Sequence, residues 1–412
     1  MGSFFEDLVY KPLDLNFGPA TLARADPHPD KLDLSLGVYR SELGKPVLFN
    51  VVAEVRGMIA SDKAQMEEYL PLLGNPDFSE VSRDLLFKTP DTDEAEYKLL
   101  CERICSLHTA SATNGIFLGL LLLKYHIKLA KRTHTSNPCW VGYPTIVDNV
   151  GLEYHEHKYL NFVDSTLDLE GILSYYETLE RGDILLIQVS GHNPCGVDPN
   201  REEWERIGEV IKRKGLIPFL DIAYQGYASG DIVEDAYPIR MFAALEVDFF
   251  VSHSFSKMMT IYSGRLGCLH VVLGRKDERL RENLISNLRH MARGIHGTPV
   301  RLYSEIALKI LTTPSLKERW LEELRGAYMR IKKARELLYK RLNELKVPGK
   351  WEHVINQKGM FCYLNISERL VHRLREKHHI YLIFNSRICI AQLNDKRVEI
   401  FAKALKDVLE NE

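Results

Sequence analysis

A lysine and an arginine close together carry the most readable chemistry in this chain. Lys257 ends the run Ser254-Phe255-Ser256-Lys257, and Arg265 follows within Tyr262-Ser263-Gly264-Arg265-Leu266-Gly267. The amine sits in a Ser-rich turn between two apolar runs that read as strands. A lysine can condense with a carbonyl to form a Schiff base, and a guanidinium can grip a phosphate through a bidentate fork. A lysine at a strand end also serves as a plain solvated charge, and a motif as short as S-x-S-K does not choose between the two. The choice depends on what the chain places at its other turns.

Three upstream turns supply complementary groups. In Leu107-His108-Thr109-Ala110-Ser111-Ala112-Thr113-Asn114-Gly115 small residues precede a helix. Free backbone N–H groups there, with the hydroxyls of Ser111 and Thr113, either seat a phosphate or make an ordinary N-cap. His192-Asn193-Pro194-Cys195-Gly196 follows an apolar run; Asn193 can donate to a phenolate oxygen, or the Asn-Pro pair simply turns the chain. Asp221-Ile222-Ala223-Tyr224-Gln225-Gly226 puts a carboxylate at the end of an apolar strand, with a phenol three residues on. A buried carboxylate needs a cation, and a pyridinium N–H would supply one and be kept protonated in return; the plainer role is a helix cap. With Lys257 and Arg265 the set comprises a phosphate seat, donors for a phenolic oxygen, a pyridinium partner and a Schiff-base amine. Pyridoxal 5'-phosphate presents all four complementary groups.

Bringing these turns together requires a sheet whose strands alternate with helices, and residues 105–275 have that pattern. Apolar runs at 183–189, 216–222, 249–253 and 266–273 are flanked by Gly, Pro or Asp. Between the first two, Trp204, Ile207, Val210 and Ile211 share one helical face, opened by Pro199 and Asn200 and closed by Gly215. The repetition predicts an α/β fold: a mostly parallel sheet covered by helices on both faces, binding ligands at the carboxyl ends of its strands. Further on, Ser315 and Glu318 have capping-box spacing ahead of a long amphipathic helix with Trp320, Leu324, Tyr328, Ile331, Leu338 and Leu342 in its stripe. After Pro348-Gly349, strands at 359–364 and 380–384 and a last helix at 396–409 predict a smaller α+β unit. Residues 14–44 have no sheet partner nearby in sequence and are expected to pack on that unit. The expected division is an arm at 1–13, a small domain from 14–44 and 315–412, and a large domain at 45–314.

Composition narrows the classes. The 412 residues are 45% apolar and 27% charged, with a net charge of -2, which offers no field to nucleic acid or anionic lipid. The longest apolar run, 116–123, is interrupted by Gly119 and is too short to span a bilayer. Neither nucleic acid nor membrane is an expected partner. Seven scattered cysteines fit a reducing compartment, and Cys101 and Cys105 beside His108 lack a second ligand pair at zinc spacing, so no metal site is expected. The opening residues show neither a basic segment nor an apolar leader, and a cytoplasmic location is expected.

At these motifs the chain resembles the aspartate aminotransferase family, class I, fold type I enzymes that depend on pyridoxal phosphate. The resemblance runs from about residue 14 to the C-terminus and is closest through 192–196, 221–226 and 254–265. It implies that Lys257 is the Schiff-base and proton-transfer residue, that Asp221 pairs with the pyridinium nitrogen, and that Asn193 and Tyr224 face the phenolic oxygen. Ser111, Ala112, Thr113, Ser254 and Arg265 would surround the phosphate. Tyr69, in Glu68-Tyr69-Leu70-Pro71, resembles the family's tyrosine that reaches the phosphate of the neighbouring subunit. Leu34-Ser35-Leu36-Gly37-Val38-Tyr39-Arg40 is similar to the small-domain glycine segment and assigns Gly37 to the substrate. Arg387, in Asn385-Ser386-Arg387-Ile388, matches the clamp on the substrate α-carboxylate. Arg293, six residues before Pro299, matches the arginine that crosses the dimer to a distal carboxylate. Two guanidiniums suit a dicarboxylate. The implied protein is a homodimer with shared sites that exchanges an amino group between aspartate or glutamate and a 2-oxo acid such as 2-oxoglutarate or oxaloacetate.

The family pattern breaks at four positions. In Tyr143-Pro144-Thr145-Ile146-Val147-Asp148-Asn149 the resemblance puts Ile146 where the family stacks a tryptophan on the cofactor ring, and Asn149 where a histidine backs the aspartate. Trp140 then falls outside the stacking position, and the following helix comes out short before Gly151. Ala112 and Asn114 replace glycines of the phosphate turn. The context of Arg293 also differs, with His296-Gly297-Thr298-Pro299-Val300 in place of aromatic-Ser-Asn-Pro-Pro. These departures leave two alternatives, an aromatic or broad-specificity aminotransferase and a non-catalytic binding protein that keeps the fold. Lys257 weighs against the second, since no structural need puts an amine there.

Overall fold

The computed structural model of the chain describes residues 3–11, 17–42, 44–61 and 68–411. Its large sheet has seven strands: β1 (Ile104–Thr109), β2 (Arg132–Asn137), β3 (Glu153–Lys158), β4 (Ile184–Gln188), β5 (Ile217–Ile222), β6 (Phe249–Ser254) and β7 (Gly267–Val272). Their order is β1-β7-β6-β5-β4-β2-β3, and each neighbouring pair is parallel except the two made by β7. The four apolar runs are strands β4 to β7, as their flanking turns implied. Strands β2 and β3 are polar in sequence: β3 is the edge strand and mostly exposed or half-buried, while β2 buries Thr133, His134 and Thr135, the last two hydrogen-bonded to Tyr175 and Tyr154.

Alternation along the strands sorts the side chains between two cores. Ile184, Leu186, Phe219, Phe250, Leu269 and Val271 share one core with Ile116 and Leu120 of the helix Ala112–His126. Leu185, Leu220, Ile222, Phe249, Val251 and Val272 face the other way, with Trp204, Ile207 and Ile211 of the helix Arg201–Lys214. That helix has the boundaries its sequence implied. Asn200 and Glu203 form a capping box at its start, and Gly215 ends it in the left-handed conformation with φ 64°. Asp221 lies two residues beyond Phe219, hence on the first face. It is the last but one residue of β5, which sets its carboxylate at the rim where such sheets bind ligands.

The helix Pro314–Glu344 buries Trp320, Leu324, Ile331, Leu338 and Leu342, while Tyr328 is half-buried at the margin of the stripe. Its start differs from the expected capping box. The helix begins at Pro314 after Thr313 without a side-chain cap, so Ser315 is already inside the first turn. Leu32–Asp33 pairs in parallel with Ile380–Tyr381, and Phe361–Tyr363 pairs antiparallel with Arg387–Cys389. The segment at Leu32–Asp33 therefore meets a strand from the C-terminal part of the chain. Residues 14–16, where the expected small domain starts, lie outside the described residues. One core joins Leu34, Phe361, Ile380 and Leu405 to Val51, Tyr224, Phe255 and Ile306, so the smaller unit and the large sheet share a continuous apolar interior.

Candidate active site

Four connections leave the carboxyl ends of parallel strands and meet one strand coming in. From β1 the chain turns at Ser111, which caps the helix Ala112–His126 by accepting from the Asn114 N–H at 3.1 Å. Strand β4 leads to Asn193, β5 carries Asp221 and leads to Tyr224, and β6 ends three residues before Lys257. Because β7 runs against β6, with Gly267 opposite Ser254, its start delivers Arg265 to the same rim. Gly267 must be a glycine here, since a Cβ would lie 2.6 Å from the Ser111 carbonyl carbon and 2.8 Å from the Ala112 nitrogen. A cavity of about 70 Å³ results, lined by Ala112, Thr113, Asn193, Asp221, Tyr224, Ser254, Lys257 and Arg265, with Trp140 and Gln188. A wider pocket of about 400 Å³ shares Thr113 and Trp140 with it.

Charge in this cavity is set by burial. The Lys257 Nζ lies 5.0 Å from the centroid of the Tyr224 ring. Desolvation lowers its pKa to about 8, against the upward pull of Asp221 and with a downward push from Arg265 and Arg387. Desolvation also raises Asp221 to about 6, opposed by a hydrogen bond from Tyr143 and by the charge of Lys257. The Tyr143 hydroxyl donates to Asp221 Oδ2 at 2.7 Å, while Oδ1 is buried and has no partner among the described residues. Arg265 takes φ 51°, a conformation that costs a non-glycine residue on the order of 1 kcal/mol. It donates to Ser256 Oγ at 3.0 Å and the Tyr262 carbonyl at 3.1 Å.

The other side of the cavity is a fixed polar corner. Gln188 donates to the Asn193 carbonyl and accepts from its N–H, each at 2.8 Å, which holds the turn rigid. The Asn193 side chain then donates to the Tyr224 hydroxyl at 3.2 Å and accepts from Arg387 at 2.9 Å. Arg387 is 3% exposed, lies 4.2 Å from the centroid of the Phe361 ring and also donates to the Ser35 carbonyl. Its Nε is unpartnered and no carboxylate pairs with it among the described residues; desolvation lowers its pKa to about 10. A buried guanidinium without an acid keeps its charge uncompensated among the described residues.

The sequence profile of aminotransferase class I and II matches residues 29–405. The chain belongs to that family. It is 32% identical over 410 residues to the cytoplasmic aspartate aminotransferase of Dictyostelium discoideum, an alignment covering 99% of this chain and 91% of that one. The aspartate aminotransferase from Saccharomyces cerevisiae cytoplasm superposes with a TM-score of 0.94 at 31% identity, covering 99% of each chain. An aromatic-amino-acid aminotransferase from Burkholderia pseudomallei, solved covalently bound to pyridoxal phosphate, superposes with a TM-score of 0.92 at 29% identity, covering 99% of this chain and 100% of that one.

Pyridoxal phosphate is the cofactor of these aminotransferases, and the donor set fits it. The unpartnered Asp221 Oδ1 suits a ring N–H, the Asn193–Tyr224 pair suits a phenolate oxygen, and the start of the helix Ala112–His126 with Arg265 suits a phosphate. Trp140 and Tyr143 correct the sequence reading of this aminotransferase. Trp140, not Ile146, lines the cavity with Asp221 and Lys257. Ile146 is buried in the core with Val147 and Val150 and touches only the wider pocket. Asn149 is exposed on that pocket, and Tyr143 is the residue behind Asp221. Each pair has the same three-residue spacing, so the correct frame lies six residues earlier. The apparently shortened helix was the visible sign of the misplacement.

The remaining assigned residues lie at or beyond the rim. Gly37 abuts Phe361, where a Cβ would lie 2.6 Å from the ring that backs Arg387. Tyr69 is 83% exposed, and Arg293 is exposed in the last turn of the helix Glu278–Ile295 with no acidic partner among the described residues. Neither lines this chain's cavity. Gln188, Ser35 and Phe361 escaped sequence reading because their roles are contacts between segments far apart in the chain.

Proposed function

We propose that this chain is a pyridoxal-phosphate-dependent transaminase that moves an amino group between a dicarboxylic amino acid, aspartate or glutamate, and a 2-oxo acid, 2-oxoglutarate or oxaloacetate. One observation carries the reading. A lysine amine with pKa near 8 shares its cavity with a carboxylate that keeps one free oxygen, and an acid-free buried guanidinium bounds the next corner. When bound there, pyridoxal phosphate supplies an electron sink for the bonding pair released as the substrate Cα loses its proton. The Lys257 Nζ would provide the covalent attachment. Once the substrate's own amine has displaced it from that bond, the freed Nζ would take the proton from Cα and deliver it to the cofactor's former aldehyde carbon; a pKa near 8 keeps a useful share of the free amine neutral. Asp221 holds a proton on the ring nitrogen. Tyr224 and Asn193 stabilise the phenolic oxygen, and Ser111, Ala112, Thr113, Ser254 and Arg265 hold the phosphate.

Arg387 grips the α-carboxylate beside Gly37, and Arg293 of a second copy reads the distal one. In this reading Tyr69 completes the partner's phosphate site, the protein is a homodimer with shared sites, and residues 45–314 form the large domain. A cytoplasmic location is part of the proposal, supported by the names of its similar proteins; among the described residues no helix is long and apolar enough to cross a membrane. The altered context of Arg293 and the aromatic-amino-acid relative favour a second reading, in which the distal pocket accepts aromatic side chains. Purified protein loaded with pyridoxal phosphate should show a borohydride-reducible link at Lys257 and transaminate aspartate with 2-oxoglutarate faster than phenylalanine or tyrosine. Preference for the aromatic donors would select the second reading, and no reducible link would end both.

A further inference from the structure

Asp221 is held from behind by a phenol. Tyr143 is 1% exposed, begins the helix Tyr143–Val150, and meets Trp140 edge to face with 5.3 Å between ring centroids. Its hydroxyl reaches Asp221 Oδ2 at 2.7 Å. A phenol has one proton, and burial pushes its ionisation well above the ordinary range, so at every working pH it keeps that proton and can donate it to the carboxylate. The other titratable groups facing this pair are Tyr224, Lys257 and, beside Tyr143, the Cys139 thiol. Burial raises Tyr224 as well, and raises Cys139 to about 11. Only Lys257 and Asp221 itself titrate near neutrality.

We propose that Tyr143 is a positioning residue for Asp221: by spending its one proton on Oδ2 it favours the carboxylate form and leaves Oδ1 to receive the ring N–H of the bound cofactor. This rests on reading the cavity as a pyridoxal phosphate site. The geometry divides the two oxygens between two donors, one from the protein and one from the cofactor. Trp140 ties the arrangement to the cavity wall, since it lines the cavity and meets Tyr143 edge to face. An apolar residue at 143 would leave Oδ2 buried without a donor, and the acid would take up a proton more readily.

The test measures pyridoxal phosphate binding to cofactor-free protein by tryptophan fluorescence, and the pH titration of the bound cofactor's visible absorbance. Tyr143→Phe should raise the dissociation constant about 10- to 100-fold at pH 7.5, the range for losing a hydrogen bond to a charged group. Its affinity should also recover as pH rises, because the unassisted Asp221 needs higher pH to ionise. In an Asp221→Ala background the same change should cost less than about twofold, a coupling that a space-filling role would not produce. Tyr143→His should restore most of the affinity above pH 7 and add a second absorbance transition between about pH 5 and 8 from the new imidazole. If Tyr143→Phe does not fold, that added transition decides: its presence supports the proposal and its absence overturns it. Equal affinity and an unchanged pH profile in folded Tyr143→Phe, or the same loss with and without the Asp221 carboxylate, also overturns it. Failure of the wild type to form a reducible link at Lys257 would instead remove the site reading itself.

Discussion

The two ends of the cavity differ in how much one chain accomplishes alone. Asp221, Tyr224, Asn193 and Arg387 are each under a tenth exposed, and all are tied to one another or to Tyr143 and Gln188 by direct hydrogen bonds. At the phosphate end Thr113 and Arg265 are exposed, and the residues assigned to complete the site, Tyr69 and Arg293, stand out in solvent. The buried end can pre-organise because its donors and acceptors all come from strand ends and from the C-terminal unit of the same chain. The open end has charge without matching partners, which is what a second copy and a cofactor phosphate would provide. Ser111, Ala112 and Ser254 are buried at this end too, so the contrast lies in Thr113, Arg265, Tyr69 and Arg293, which the proposed cofactor and second copy would cover.

Breaking the buried end should cost the most. Lys257→Ala is expected to lower transamination by more than about 10⁴-fold and to abolish the borohydride-reducible link, since attachment and proton transfer depend on one amine. Near-normal turnover in that variant would refute its role. Next, Arg387→Leu should lower kcat/KM by roughly 10²- to 10³-fold for aspartate and phenylalanine alike, because both bear an α-carboxylate. A loss confined to one donor would show that Arg387 reads the side chain.

The open end should respond more selectively. Arg293→Leu should cost about 2 to 5 kcal/mol in transition-state binding of dicarboxylates and much less for apolar donors. Equal losses for aspartate and phenylalanine would remove Arg293 from the distal pocket. Mixing Arg293→Leu with Lys257→Ala chains sharpens the contrast, because heterodimers should regain about one working site of two if the arginine crosses the boundary.

Smaller effects probe the wall and the amine. In cofactor-free protein, condensation of Lys257 with an aldehyde should climb about tenfold per pH unit and level off near pH 8, since only the neutral amine reacts. Asp221→Asn should move that plateau down, because the carboxylate is what holds the amine's pKa up. A plateau near the ordinary lysine value would mean that the amine is not desolvated. Trp140→Leu should weaken cofactor binding about two- to tenfold, the worth of an aromatic stack beyond its area. Ile146→Val, away from the cavity, should leave cofactor affinity unchanged; the opposite ranking would reinstate Ile146 as the ring's cover.

Much of this was legible in the amino-acid string. Strands β4 to β7 announce themselves by apolar runs between turn residues, because fully buried strands must be apolar on both faces. The turns carrying Ser111, Asn193, Asp221, Lys257 and Arg265 could be read because chemistry places rare residue types at strand ends, where short-range order preserves their spacing. Strands β2 and β3 were not legible, since β3 is an edge strand and β2 buries polar residues, His134 and Thr135, whose tyrosine partners lie elsewhere in the chain. Nor was the frame of 140–149: two pairs with identical spacing compete there, and only the folded arrangement, in which Trp140 lines the cavity and Tyr143 reaches Asp221, tells them from Ile146 and Asn149.

What the sequence determined by itself, then, is the alternation that makes the sheet and the identity of the groups at its rim, both consequences of local periodicity and residue type. What only the tertiary structure decided is which oxygen of Asp221 is free, which aromatic faces the cavity, and that Arg387 reaches Asn193 across 194 positions of chain. Those facts depend on desolvation and on contacts between distant segments, and neither quantity exists until the chain has folded.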